Sequence, residues 1–216
     1  MDRQARPRAA FHRQDPQPVK ATELRPVASA ALPAALQDTA GAPSGDGRVA
    51  LLGGLTAGDA STDSVLVVDR RGGRRRGVLP AAVHDAAAAR IGGHVYLFGG
   101  GDGVRQHVEI VSVDPRTGSA KIVGRLPAPS SDQAGAVIGR TAYIVGGFTG
   151  TRWLNTIVAW QPGGVARVVA HLPTPVRYAA VAAADGRLVV AGGSLPNGTA
   201  TRSVLTYQPG SDRVRR

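Results

Sequence analysis

The chain has no cysteine among its 216 residues. Disulfides, thiolate zinc sites and cysteine nucleophiles are therefore excluded, and thiol usage says nothing of compartment. Aromatic residues are scarce at 4%, so no broad aromatic platform is available for stacking bases. Lysine is nearly missing as well: Lys20 and Lys121 stand alone, and arginine carries almost all of the positive charge. No apolar stretch reaches the roughly 18 residues a membrane-spanning helix needs, and the N-terminus has no apolar signal-peptide core. The chain as written reads as soluble, with its localisation open.

Glycine (29) and proline (15) are abundant, which suits an all-β protein with many turns. The formal net charge is +11. Arginine, alanine and glycine in excess also fit GC-rich coding, and net charge bears on non-specific association rather than on fold. The densest charge run, Arg70-Arg71-Gly72-Gly73-Arg74-Arg75-Arg76, reads as a solvated outer hairpin; arginines there also block edge pairing. Without interleaved aromatics it argues against a nucleic-acid partner.

Four glycine pairs set the organisation: Gly53-Gly54, Gly99-Gly100, Gly146-Gly147 and Gly192-Gly193, spaced 46, 47 and 46 residues. Each closes a short apolar run, as in ValTyrLeuPhe at 95–98. A second marker holds phase with them: Leu32-Pro33, Leu79-Pro80, Leu126-Pro127 and Leu172-Pro173. A period of this size means a repeat architecture, and four short strands per unit give the size of a propeller blade. Strand one is small and apolar (Ala86 to Ile91, Ala134 to Ile138, Ala179 to Ala184), and strand two ends in the glycine pair. Strand three alternates (Ser64 to Val68, Glu109 to Val113, Thr156 to Trp160, Ser203 to Tyr207). Strand four runs to the next Leu-Pro, ending at Leu79, Leu126 and Leu172. Small residues suit inner strands crowded round an axis. Glycine pairs permit positive φ and close approach between neighbouring blades.

The apolar run plus glycine pair, clearest at 95–100 and 143–147, resembles the kelch-repeat family. So do Trp153-Leu154-Asn155 leading into strand three and the Asp114-Pro115 turn. The resemblance covers residues 30–216 and implies an all-β kelch-type β-propeller of four-stranded blades, about four of them present. The tryptophan that kelch units often place in strand four is absent, and the strand-three aromatic occurs only as Trp160 and Tyr207. The expected units are 33–79, 80–126, 127–172 and 173–216, within a propeller of residues 22–216. Residues 1–21 read as a basic disordered or mis-assigned tail. Kelch propellers usually carry more than four blades. Either residues 22–30 complete the last blade and close a small ring, or the chain is part of a larger propeller whose open edges invite oligomers.

Radial repeats bring equivalent positions into rings. Counting back 15 and 14 residues from the first glycine of each pair gives Asp38/Thr39, His84/Asp85, Ser131/Asp132 and Arg177/Tyr178. These lie just before the inner strand, at one mouth of the channel. They form a candidate site for a small polar or carbohydrate ligand, or simply solvate the entrance. The loops between strands two and three add Phe148, Arg152 and Trp153 as candidate contacts, with the two aromatics either exposed or packed on the next blade. The five histidines fall at no metal-ligand spacing, no serine sits in a nucleophile elbow, and no cofactor site is read. The resemblance extends to copper oxidases whose cysteine cross-link this chain has no residue to make. The leading expectation is a non-catalytic interaction module for a protein or small polar ligand. The alternative is a carbohydrate-active or sugar-acid isomerase-type enzyme, with Arg177 holding a carboxylate and His84 or Asp85 moving a proton.

Overall fold

The computed structural model describes residues 30–211 and 213–215, and every regular element among them is a strand. The first blade contains β1 (Leu36–Gln37), β2 (Ala40–Gly45), β3 (Arg48–Leu52), β4 (Leu55–Thr56), β5 (Thr62–Asp69) and β6 (Gly72–Val83). The second has β7 (Ala87–Ile91), β8 (His94–Phe98), β9 (Glu109–Val113) and β10 (Ala120–Arg125). The third has β11 (Ala134–Ile138), β12 (Thr141–Val145), β13 (Thr156–Trp160) and β14 (Arg167–His171). The fourth has β15 (Ala180–Ala184), β16 (Arg187–Ala191), β17 (Val204–Tyr207) and β18 (Val214–Arg215). Each blade is an antiparallel four-stranded sheet with its strands in chain order, and β1 pairs with β4 as an added ribbon.

The period thus marks propeller blades. The fourth strand of the first blade differs from expectation: β6 runs on through Leu79-Pro80 to Val83. Proline is tolerated there because β6 is the outermost strand, where one row of N–H groups has no ladder partner. Residues 1–21, and 22–30 apart from Ala30, lie outside the described residues. The outermost strand of the last blade is β18.

The glycine pairs join blades. Both members have positive φ, for instance 66° at Gly146 and 108° at Gly147. The second glycine's N–H reaches the segment leading into the next blade: Gly54 donates to the Val83 carbonyl (2.7 Å), Gly100 to Ser130 (2.8 Å) and Gly147 to Val176 (2.9 Å). The inner strands β2, β7, β11 and β15 pack successively side by side, and their alanines let backbones approach. β7 and β11, flanked on both sides, expose Arg90 alone, whereas β15 exposes Ala180, Ala182, Ala183 and Ala184.

Three apolar cores fill the gaps between blades. Between the second and third, Trp160 is 1% exposed and meets Tyr96 edge-on at 4.9 Å and Phe98 at 5.7 Å. Its indole N–H donates to the Gly164 carbonyl (3.1 Å), which satisfies the one polar atom of the side chain.

Candidate functional site

The segments leading into β7, β11 and β15 stand beside the loops between strands two and three. Isolated bridges join His84 to Gly101, Ser131 to Phe148 and Arg177 to Ser194. Mouth and loops therefore share one end of the propeller. The loops differ in sequence yet fold alike, each pinched by one bridge: Leu55 with Ser61, Gly101 with Gln106, Phe148 with Trp153, Ser194 with Ala200.

Asp38, Asp85, Asp132 and Tyr178 occupy one ring of equivalent positions. All four have positive φ (53°, 52°, 61° and 56°). From the second onward, each N–H donates to its counterpart in the preceding blade: Asp85 to Asp38 (3.1 Å), Asp132 to Asp85 (2.8 Å), Tyr178 to Asp132 (2.9 Å). Aspartate tolerates the left-handed region better than most residues, which accounts for three of the four. Simple counting puts Thr39 in this ring, and the structure puts Asp38 there. A bulge between Pro43 and Gly45 adds one residue to the first unit and shifts the count by one.

The side chains form a network. Asp132, 3% exposed, is ion-paired with Arg177 Nη2 (2.7 Å) and accepts from Ser131 Oγ (3.1 Å). Arg177 Nη2 also donates to the Tyr178 hydroxyl (3.1 Å). The Arg177 guanidinium lies over Phe148 (4.7 Å), Trp153 (5.0 Å) and Tyr178 (5.1 Å), a three-sided cation–π contact. Phe148 and Trp153 meet edge-on at 6.4 Å and are half-buried against this arginine of the next blade. Arg152 stays exposed at the loop tip, its N–H donating to Thr149 Oγ1 (3.0 Å). His84 stands between the first loop and the network, with Nδ1 at 2.8 Å from Ser61 Oγ and Nε2 at 4.0 Å from Asp85 Oδ2.

Burial pushes the Asp85 carboxyl from its ordinary 3.8 up to about 7, helped by the charges of Asp132 and Asp38 and a hydrogen bond shared with Asp132, and opposed by Arg177. Burial, then Asp132 and Asp85, raises the Tyr178 hydroxyl as well. A raised carboxyl pKa means the native state holds a proton that the unfolded chain gives up. This stabilisation is complete below pH 4 and is lost as pH rises through about 7. Asp85→Asn, which imitates the protonated form and tolerates the same φ, is expected to match the parent below about pH 4. At pH 8 it should exceed the parent by about 1–2 kcal/mol, after allowance for solvent screening. Urea unfolding across that range reads this directly, and parallel curves for the two proteins would refute the raised Asp85 pKa.

Sequence reasoning passed over two features. Gln133, buried, follows Asp132 and donates from Nε2 to the Phe98 carbonyl (2.7 Å). A long amide side chain where the other units have the small residues Thr39, Ala86 and Ala179 was the available signal. His107, buried in the second loop, sits with Nε2 at 3.0 Å from Asp102 Oδ2 and Nδ1 at 3.6 Å from Glu109 Oε2. Among the described residues no group of three or more histidine and carboxylate side chains forms a metal-binding cluster.

No protein-family model matches the chain. Over 139 residues it is 34% identical to Kelch-like protein 35 of Mus musculus, a match that covers 63% of this chain and 23% of that protein. The chain thus aligns with less than a quarter of that relative's length.

Proposed function

We propose that this chain, which belongs to the kelch-repeat family, is a non-catalytic binding module that meets a protein partner with the end of the propeller carrying the mouth and the loops. One observation carries the reading. The charged groups of the mouth largely pair with one another: Arg177 is held by Asp132 and three aromatic rings, and its buried Nε is left without a partner. His84 turns to Ser61. An enzyme of the sugar-acid type needs Arg177, His84 and Asp85 aimed at one shared ligand atom, within about 3 Å. Loops of constant backbone and variable side chain on a rigid scaffold are instead the usual layout of an interaction surface. The relative's kelch identity supports the same reading.

Selection of displayed random peptides on the purified chain tests it. Enriched peptides are expected to bind at least tenfold more weakly to Arg152→Glu or Tyr178→Ala, both exposed at this end. Arg90→Glu, in the inner strand β7, should leave binding unchanged. A rise in Tm of several degrees with glucuronate, abolished by Arg177→Met, would favour the small-ligand alternative.

A further inference from the structure

The same kind of groove recurs at each junction between blades. A Leu-Pro and the residues after it form one wall, and strands two and three of the next blade form the other, joined by strand four at the first two junctions. The first two sites correspond residue by residue. Leu79, Val83, Leu97, Val111 and Ile122 at the first junction match Leu126, Ser130, Ile144, Val158 and Val168 at the second. Their sizes differ widely: ≈ 510 Å³ between blades one and two, ≈ 50 Å³ between two and three, and ≈ 160 Å³ between three and four.

Side chains explain the difference. Leu154 lines the second groove, and His107 stands at that place in the first. Its imidazole is held by Asp102 and Glu109, and its N–H by the Gly100 carbonyl (2.7 Å). A polar ring tied to two carboxylates does not plug an apolar slot as leucine does. The floor remains apolar (Leu79, Val83, Leu97, Val111), and Ile122 at the edge is 54% exposed.

The edge is also basic. Arg105 and Arg125 have side chains 75% and 70% exposed. Each sits 3.6 Å from a carboxylate, beyond hydrogen-bond length, so both keep free donors. Those carboxylates are committed elsewhere. Asp102 accepts the N–H groups of Arg105 and Val104 and the His107 ring, and the two backbone donors, in that order, do most to hold it down at about 2. Glu109 accepts the Val108 N–H.

We propose that the groove between the first and second blades seats a segment of a protein partner that carries a large apolar side chain next to a carboxylate. The inference rests on the binding-module reading above and names its docking point. The apolar side chain enters the space over Leu79, Val83, Leu97 and Val111, beside His107, and covers Ile122. The adjacent carboxylate meets Arg125 and Arg105. The volume suits one such anchor and its neighbours, and the groove runs into the loop end through Arg105, Gln106 and His107.

The test uses the full chain and a displayed library of random 12-residue peptides, with fluorescence polarisation on the enriched sequences. Ile122→Glu and Arg125→Gln alter exposed edge residues, and their Tm values should stay close to the parent's. Enriched peptides should share Leu, Phe or Trp beside Asp or Glu, and both variants should weaken them at least tenfold. Peptides that bind both variants as tightly as the parent overturn the groove. If Arg152→Glu still weakens those peptides, the binding-module reading survives without it. Binding of 2-naphthoate lost in Ile122→Glu, with no peptide enriched, overturns the peptide occupant in favour of a small aryl carboxylate. No enrichment and no naphthoate binding overturns the groove altogether.

Discussion

Gly146→Ala is expected to destabilise the chain by about 4 kcal/mol, and Gly192→Ala by only about 1 kcal/mol, although the two occupy the same position in consecutive blades. Their backbones are alike, with φ of 66° and 64°. An L-residue in that region costs about 1–2 kcal/mol wherever it stands. The surroundings differ. A Cβ on Gly146 would run into the Val176 carbonyl, backbone of the segment that leads into the fourth blade. A Cβ on Gly192 would find only the Thr201 carbonyl oxygen at 3.7 Å, an ordinary contact. Relief at Gly146 requires that the two blades part, which breaks the Gly147 to Val176 hydrogen bond and loosens the core around Ile157, Leu172 and Leu188. Urea unfolding of the two variants decides it. Equal losses would mean that the first glycine serves only its own turn and plays no part in joining blades.

That contrast shows what a single sequence makes legible here. The glycine period and its Leu-Pro companion announce the blades because the cause is local: left-handed backbone at a strand end favours glycine in every unit. Strands β9, β11 and β13 fall at the residues their patterns mark. Counting fails where the register changes. The bulge between Pro43 and Gly45 adds a residue without leaving any residue type behind that signals it, so Thr39 is taken for the position that Asp38 holds. The long β6 is a failure of another kind, since the Leu-Pro used as a boundary lies inside an edge strand that tolerates it. At the site, the ring of polar positions can be counted out from the repeat. What the side chains do with one another cannot. Arg177 comes from the fourth blade, Phe148 and Trp153 from a loop of the third, and only their packing makes one network of them. The enlarged groove at the first junction is legible only in hindsight, as a histidine where the next unit has Leu154.

The network at the mouth is a structural joint between the third and fourth blades, and its rupture should be costly. Asp132→Asn keeps the side-chain size and tolerates the positive φ, but leaves the Arg177 guanidinium without its anionic partner. The loss is expected to be about 3 kcal/mol, because breaking a buried pair strands the remaining charge. Arg177→Met removes the charge and keeps much of the apolar stem over Phe148 and Trp153. The double variant should therefore recover about 2 kcal/mol relative to the sum of the single losses. Because the Asp132 charge helps raise the Asp85 carboxyl to about 7, Asp132→Asn should also lower it, so the cycle is run at several pH values. Such coupling would mean that Arg177 is committed to holding two blades together, and that partners are met by the exposed residues around it. If Asp132→Asn costs less than about 0.5 kcal/mol and the cycle shows no coupling, Arg177 is free to leave Asp132. Its guanidinium, backed by three aromatic rings and 2.7 Å from a displaceable carboxylate, would then be placed to take a carboxylate from a ligand, and the mouth itself would become the binding site.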